Sequence, residues 1–131
     1  MKIGVRAHDY GKHSIEGLAS LLREEGYDGA QLALPKVFEE IDSYEDIRLS
    51  HIERIRRAFE KNRVEIPVMG CYMDLGNPDR SVREYAVETL KNCLLYAKEM
   101  GAGVVGTETA YPRLSREERA AWCPYMMDSL M

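Results

Sequence analysis

No stretch of this chain approaches the roughly 18 consecutive apolar residues that a membrane span needs, so no membrane association is expected. A secretory apolar segment is missing too. Met1-Lys2-Ile3-Gly4-Val5-Arg6 is charged within its first residues, which predicts no signal peptide. Cysteine is scarce: Cys71, Cys93 and Cys123 are odd in number and far apart. They form no paired CxxC zinc signature, and they predict reduced thiols in the cytoplasm. A basic surplus is lacking as well. Eighteen Lys and Arg stand against 22 Asp and Glu, for a net charge of -4. A nucleic-acid binder normally presents a basic face, so no nucleic-acid partner is expected. Neither GxGxxG nor GxxxxGKS/T follows an apolar run, so Gly103 and Gly106 are not a phosphate loop. What is present is globular: 131 residues, 45% apolar and 31% charged. That suits one domain able to bury roughly two thirds of its unfolded surface.

The chain reads as four copies of one pattern, an apolar run, a loop and an amphipathic stretch. The runs are Ile3 to Ala7, Gly29 to Leu34, Ile66 to Tyr72 and Val104 to Thr109. After the first, Ser14 is placed to cap a helix whose apolar residues fall at Ile15, Leu18, Ala19, Leu21 and Leu22, and Gly26 stops it. Pro35 ends the second run. A loop from Lys36 to Leu49 follows, with a short helical turn expected near Val37 to Ile41. Ser50 with Glu53, Ser81 with Glu84 and Ser115 with Glu118 are each spaced as a capping box. Gly101 should stop the third long helix. The last helix begins well and then meets Cys123-Pro124, where the missing donor predicts an irregular tail from about residue 122.

Alternating strand and helix implies a parallel sheet with right-handed crossovers. At about 33 residues per unit, four βα units amount to half of a (β/α)8 TIM barrel, which spans roughly 250 residues. An open doubly wound sheet is the alternative, but its central strands should be continuously apolar. Arg6, Gln31 and Thr107 interrupt the runs here and favour the half barrel, a single partial domain over residues 1–131 with strands one to four.

Ligands of parallel α/β proteins bind at the carboxyl ends of the strands. The residues expected there are His8-Asp9, Gln31 with Lys36, Tyr72 with Asp74, and Thr107-Glu108-Thr109. Each has a structural alternative. His8 also suits a solvated loop, Gln31 a bond to a neighbouring strand, Tyr72 packing with a wet hydroxyl, and Asp74 a turn. Glu108 is the leading catalytic candidate, because a glutamate at the end of an apolar strand is costly to bury without a partner. Cys93 falls on an apolar helix face and reads as core. Arg54, Arg56 and Arg57 read as a solvated face, and His13 and His51 sit near helix N-termini.

Four stretches taken in order carry a resemblance. They are Lys2-Ile3-Gly4-Val5-Arg6-Ala7-His8-Asp9-Tyr10-Gly11-Lys12, Tyr27-Asp28-Gly29-Ala30-Gln31-Leu32, Gly70-Cys71-Tyr72-Met73-Asp74-Leu75-Gly76-Asn77-Pro78-Asp79, and Val104-Val105-Gly106-Thr107-Glu108-Thr109. Together they resemble the N-terminal half of the sugar phosphate isomerase/epimerase family, the xylose-isomerase-like TIM barrels. Asp74 and Asn77 stand where relatives often have Asn and His. The resemblance implies aldose–ketose isomerisation or C3 epimerisation of a sugar or sugar phosphate. A divalent metal (Mn²⁺, Mg²⁺ or Co²⁺) polarises the sugar oxygens while carboxylates move a proton. It implies Glu108 as catalytic and His8, Tyr72 and Asp74 as substrate-binding. Apurinic endonucleases share the barrel, and the acidic composition argues against that branch.

In the family the metal ligands, a glutamate, an aspartate, a histidine and a second glutamate, come from strands five to eight. This chain stops before strand five, so no metal is expected for it alone. Three readings remain. In the first, the chain is half of a metal-assisted sugar isomerase or epimerase, inactive without the other half. In the second, it is a non-catalytic half barrel that binds a sugar or closes as a homodimer through its open sheet edges. In the third, it is the truncated product of a frameshift or premature stop.

Overall fold

The computed structural model describes residues 1–108 and 114–131; of the residues named above, Thr109 lies outside them. Four short strands form one parallel sheet in the spatial order β1 (Gly4–Arg6), β2 (Gly29–Leu32), β3 (Glu65–Gly70) and β4 (Val104–Gly106). The helices are α1 (Ile15–Glu24), the single turn α2 (Leu34–Val37), α3 (Leu49–Asn62), α4 (Arg80–Met100) and α5 (Arg116–Leu130). Short 3-10 turns occupy Ala7–Tyr10 and Tyr44–Asp46.

Strand order decides between the two architectures. A doubly wound sheet reverses direction at a switch point, which puts helices on both faces. Here each strand lies beside its predecessor and the order never reverses. Right-handed crossovers then send the helices to one face, and α1 packs on α3 and α3 on α4. The opposite face is the one a closed barrel turns inward. The chain is an α/β half TIM barrel.

Side chains alternate accordingly. Ala30 and Leu32 are fully buried against the helices, and half-buried Gln31 between them points the other way. Met69 and Ile66 do the same on β3, against Ile15, Leu18, Leu22, Ile52, Ile55 and Phe59. Each large aliphatic side chain in this layer contributes roughly 1.5–3 kcal/mol. Pro67 sits inside β3, where a proline normally weakens pairing. The register explains it: Gly29 pairs with Glu65 but Gln31 with Val68, so an extra β3 residue is bulged at that point.

Helix ends follow the sequence in part. Ser14 Oγ accepts from Gly17 N (3.1 Å), and Gly26 and Gly101 adopt the left-handed φ of helix stops. Ser115 and Glu118 exchange both bonds of a capping box. The other two boxes are not made. Helix α3 starts two residues early, and Arg48 N donates to His51 Nδ1 (3.3 Å), while Glu53 pairs with Arg57. Asp79 caps α4 by accepting from Ser81 N (2.8 Å), and Glu84 turns to Arg80. In each case the carboxylate finds an arginine four residues away, an ion pair competing with the cap. The turn expected near Val37 to Ile41 comes earlier, at Leu34–Val37, because Pro35 suits the first turn of a helix.

The tail also differs from expectation. Helix α5 continues through Pro124 to Leu130 rather than becoming irregular at residue 122. Proline cannot bond the carbonyl one turn earlier, but contacts on both sides hold the helix. Before it lies the capped first turn. After it, Ser129 Oγ donates to Leu75 O (2.8 Å) and the Arg83 guanidinium stacks 4.8 Å from the Tyr125 ring centroid. No α5 side chain is buried.

Candidate functional site

The strand ends bring a polar set together on the inward face. Tyr72 lies at its centre, two residues beyond β3. Gln31 on β2 donates from Nε2 to Tyr72 Oη at 2.5 Å. Lys36 on α2 holds Nζ 4.7 Å from the ring centroid, a cation–π distance. His8, in the 3-10 turn after β1, meets the ring edge-on with centroids 6.0 Å apart. These groups come from three consecutive βα units, so parallel pairing in sequential order places them side by side.

Tyr72 is held from behind. Its backbone N donates to Tyr44 Oη (3.1 Å), and Tyr44 Oη donates to Gly70 O (3.3 Å). Burial pushes the Tyr44 hydroxyl well above its ordinary pKa, so it keeps its proton for that bond. Gly70 gives the ring its room: a Cβ there would stand 3.1 Å from ring carbon and hydroxyl atoms. Beyond the ring, the thiol of Cys93 is buried as expected, and that of Cys71 is buried beside it. A hydrogen bond to Cys71 and burial hold the Cys93 thiol far above its usual pKa.

Electrostatics separate the site's groups. Burial lowers the His8 pKa, and the charges of Arg6 and Lys36 add to this against the opposing pull of Asp9. His8 is therefore neutral at physiological pH. Burial raises the Tyr72 pKa, helped by the Glu108 carboxylate and opposed by Arg6. Arg6 is bound in bidentate fashion to Asp9 at 2.9 and 3.1 Å. Two buried polar atoms, His8 Nδ1 and Thr107 Oγ1, have no partner among the described residues.

The predicted residues fare differently. His8 and Tyr72 are brought into contact, together with Gln31 and Lys36. Asp74 lies in the β3–α4 loop, where Asn77 Nδ2 donates to its Oδ2 (2.7 Å). Glu108 is exposed. The burial cost that singled it out therefore does not apply, although its charge reaches Tyr72. Sequence reasoning missed Tyr44, whose clamp joins residues 28 positions apart. No local pattern signals such a contact.

Among the described residues, no three His, Cys, Asp or Glu side chains come together as a metal ion requires. Those described residues supply no ligand set for the divalent metal of the resembled family. A groove of about 900 Å³ lies between α4 and the end of α5, away from the strand ends. Its lining includes Arg83, Glu84, Leu90, Leu94, Asp128 and Ser129, and the Ser129 hydroxyl is already engaged with Leu75 O. Among the described residues no helix is long and apolar enough to cross a membrane.

Comparison with known proteins agrees with the half-barrel fold. The model of the xylose isomerase-like TIM barrel family matches residues 19–130. Among curated proteins none matches the chain. Among solved structures, a D-psicose 3-epimerase in the presence of D-fructose superposes with a TM-score of 0.69 at 12% identity, over 98% of this chain and 50% of that one. The apo 3-keto-D-glucoside 4-epimerase of E. coli gives 0.65 at 15% identity, over 99% and 50%. An L-ribulose 3-epimerase gives 0.61 at 15% identity, over 98% and 46%. The chain thus spans about half the length of the structures it resembles.

Proposed function

The chain belongs to the xylose isomerase-like TIM barrel family, and on that premise we propose that it forms the β1–β4 half of a sugar isomerase or epimerase site. The carrying observation is the convergence of His8, Gln31, Lys36 and Tyr72 at consecutive strand ends. In this reading Tyr72 and His8 hold sugar oxygens, and Lys36 and Gln31 fix the Tyr72 ring. Asp74 extends the binding rim once its bond to Asn77 opens. Glu108, exposed at the end of β4, faces the reacting carbons as acid or base. To complete the proton transfer, Glu108 needs further groups from strands five to eight, and a divalent metal would be held there rather than by this chain. The chain alone therefore binds sugar or sugar phosphate without turning it over. Its three free cysteines suit a reducing cytoplasm.

The test measures ketose binding by tyrosine fluorescence, and turnover with Mn²⁺, Mg²⁺ and Co²⁺ added in turn. Binding without turnover is expected. Epimerisation or isomerisation by the isolated chain refutes the missing-half reading, and absence of binding to both sugars and sugar phosphates refutes the site. A second reading, closure as a homodimer, is favoured by the free edges of β1 and β4 and by exposed Ile3 and Val104 beside them. Sedimentation decides it, since a monomer over the micromolar range rules the dimer out.

A further inference from the structure

The groups around Tyr72 form a surplus of hydrogen-bond donors. Gln31 Nε2 donates to Tyr72 Oη, so the phenolic proton is left to be given elsewhere. Lys36 has no carboxylate within ion-pair distance among the described residues. His8 Nδ1 and Thr107 Oγ1 are buried without partners among those residues. An unsatisfied buried polar atom costs roughly 1–3 kcal/mol, so a built site with two of them calls for hydrogen-bonding partners from outside. Charge narrows the choice. Arg6 is already matched by Asp9, which leaves the Lys36 ammonium unbalanced on the β1–β2 side. The exposed Glu108 carboxylate repels an anion from the β4 side.

We propose that the rim over β1 to β3 is an oxyanion subsite, in which Lys36, His8 and Tyr72 grip a carboxylate or phosphate group carried by the substrate. The inference rests on the sugar-site reading and deepens it: the substrate is a sugar acid or a sugar phosphate rather than a neutral sugar. The oxyanion accepts from the Tyr72 hydroxyl and the His8 ring N–H, and the Lys36 ammonium supplies the charge. Charge-assisted bonds of this kind are about twice as strong as neutral ones.

His8, His13 and His51 are the only histidines, so their ring signals in NMR provide one reporter and two internal controls. Inorganic phosphate, acetate and D-fructose are titrated separately into the intact chain at neutral pH and fixed ionic strength. Saturable movement of the His8 signals by phosphate or acetate is expected, with His13 and His51 unmoved. Whichever anion saturates at the lower concentration identifies the group. Lys36 is exposed, so Lys36→Gln leaves the fold intact and should weaken the anion response roughly tenfold or more, the worth of one charge-assisted hydrogen bond. Lys36→Arg should retain most of it. An unmoved His8 with both anions, or an unchanged response in Lys36→Gln, overturns the proposal. Fructose separates the two ideas. A fructose response without an anion response overturns the oxyanion subsite and leaves the sugar site standing. An anion response without a fructose response supports the subsite and counts against neutral-sugar binding.

Discussion

Removing one oxygen atom should loosen the centre of the site. Tyr44→Phe keeps the ring and its packing but deletes the hydroxyl that accepts from Tyr72 N at 3.1 Å and donates to Gly70 O at 3.3 Å. Gly70 is buried and Tyr72 half-buried, so water cannot fully replace either bond. An orphaned buried group costs roughly 1–3 kcal/mol, and partial access at Tyr72 puts the sum for the pair at about 2–3 kcal/mol. For a chain of this length, unfolding entropy is ~0.28 kcal/mol/K, so 2 kcal/mol lowers Tm by roughly 7 °C. Urea denaturation should show the same loss as a midpoint lower by about 1 M, with the slope unchanged. Tyr10→Phe is the control. It removes one partner of the Tyr10–Tyr27 hydroxyl pair at 3.0 Å. A single pair of that kind should cost about 0.5–1.5 kcal/mol. Equal midpoints for wild type and Tyr44→Phe would refute the clamp, because a phenyl ring at that position offers neither a donor nor an acceptor in compensation.

Three further outcomes follow from the same geometry. Gly70→Ala places a methyl 3.1 Å from Tyr72 ring atoms. It should cost about 1–3 kcal/mol by overpacking and abolish the Gln31–Tyr72 bond, read as loss of ligand-induced tyrosine fluorescence change. His8 has its folded-state pKa depressed by burial and by Arg6 and Lys36, so the unfolded chain takes up its proton first as pH falls. The associated stability is fully present above the unfolded pKa near 6.5 and declines as pH drops toward the folded value. Thermal melts in phosphate-free buffer should show His8→Gln falling less than wild type between neutral and mildly acidic pH, and parallel curves would refute the assignment. Pro124→Ala restores a helical donor in α5, where an interior proline costs roughly 3 kcal/mol. Since no α5 side chain is buried, the gain should appear as slower amide exchange over residues 116–130, with little change in global unfolding. An unchanged exchange pattern would mean that contacts to Leu75 and Arg83 already hold the helix.

What could be read from the residues was local. The four apolar runs, the caps at Ser14 and Ser115, and the stops at Gly26 and Gly101 depend on neighbours within one turn or one strand, so spacing alone reveals them. The length of the repeat and the polar interruptions at Arg6, Gln31 and Thr107 pointed correctly to half a barrel. Competition defeated the local reading where two local bonds were available. Glu53 and Glu84 chose arginines four residues away over caps, and α5 outlasted its proline through contacts with residues far back in the chain.

Tertiary structure decided the rest. The unreversed strand order, set by pairing between segments some thirty residues apart, is what separates the half barrel from a doubly wound sheet. Glu108 shows the limit of pattern: a glutamate closing an apolar run suggests burial, yet the edge position of β4 leaves it in solvent. Lys36 and Tyr72 stack only because two parallel strands end at the same level. The Tyr44 clamp has no signature at all, since a hydroxyl accepts and donates wherever the fold carries it. The chain's sequence by itself determined which segments become strands and helices, because backbone conformation answers to near neighbours. Only the folded sheet decided which side chains meet, because their meeting depends on strand order, register and the face each residue is given.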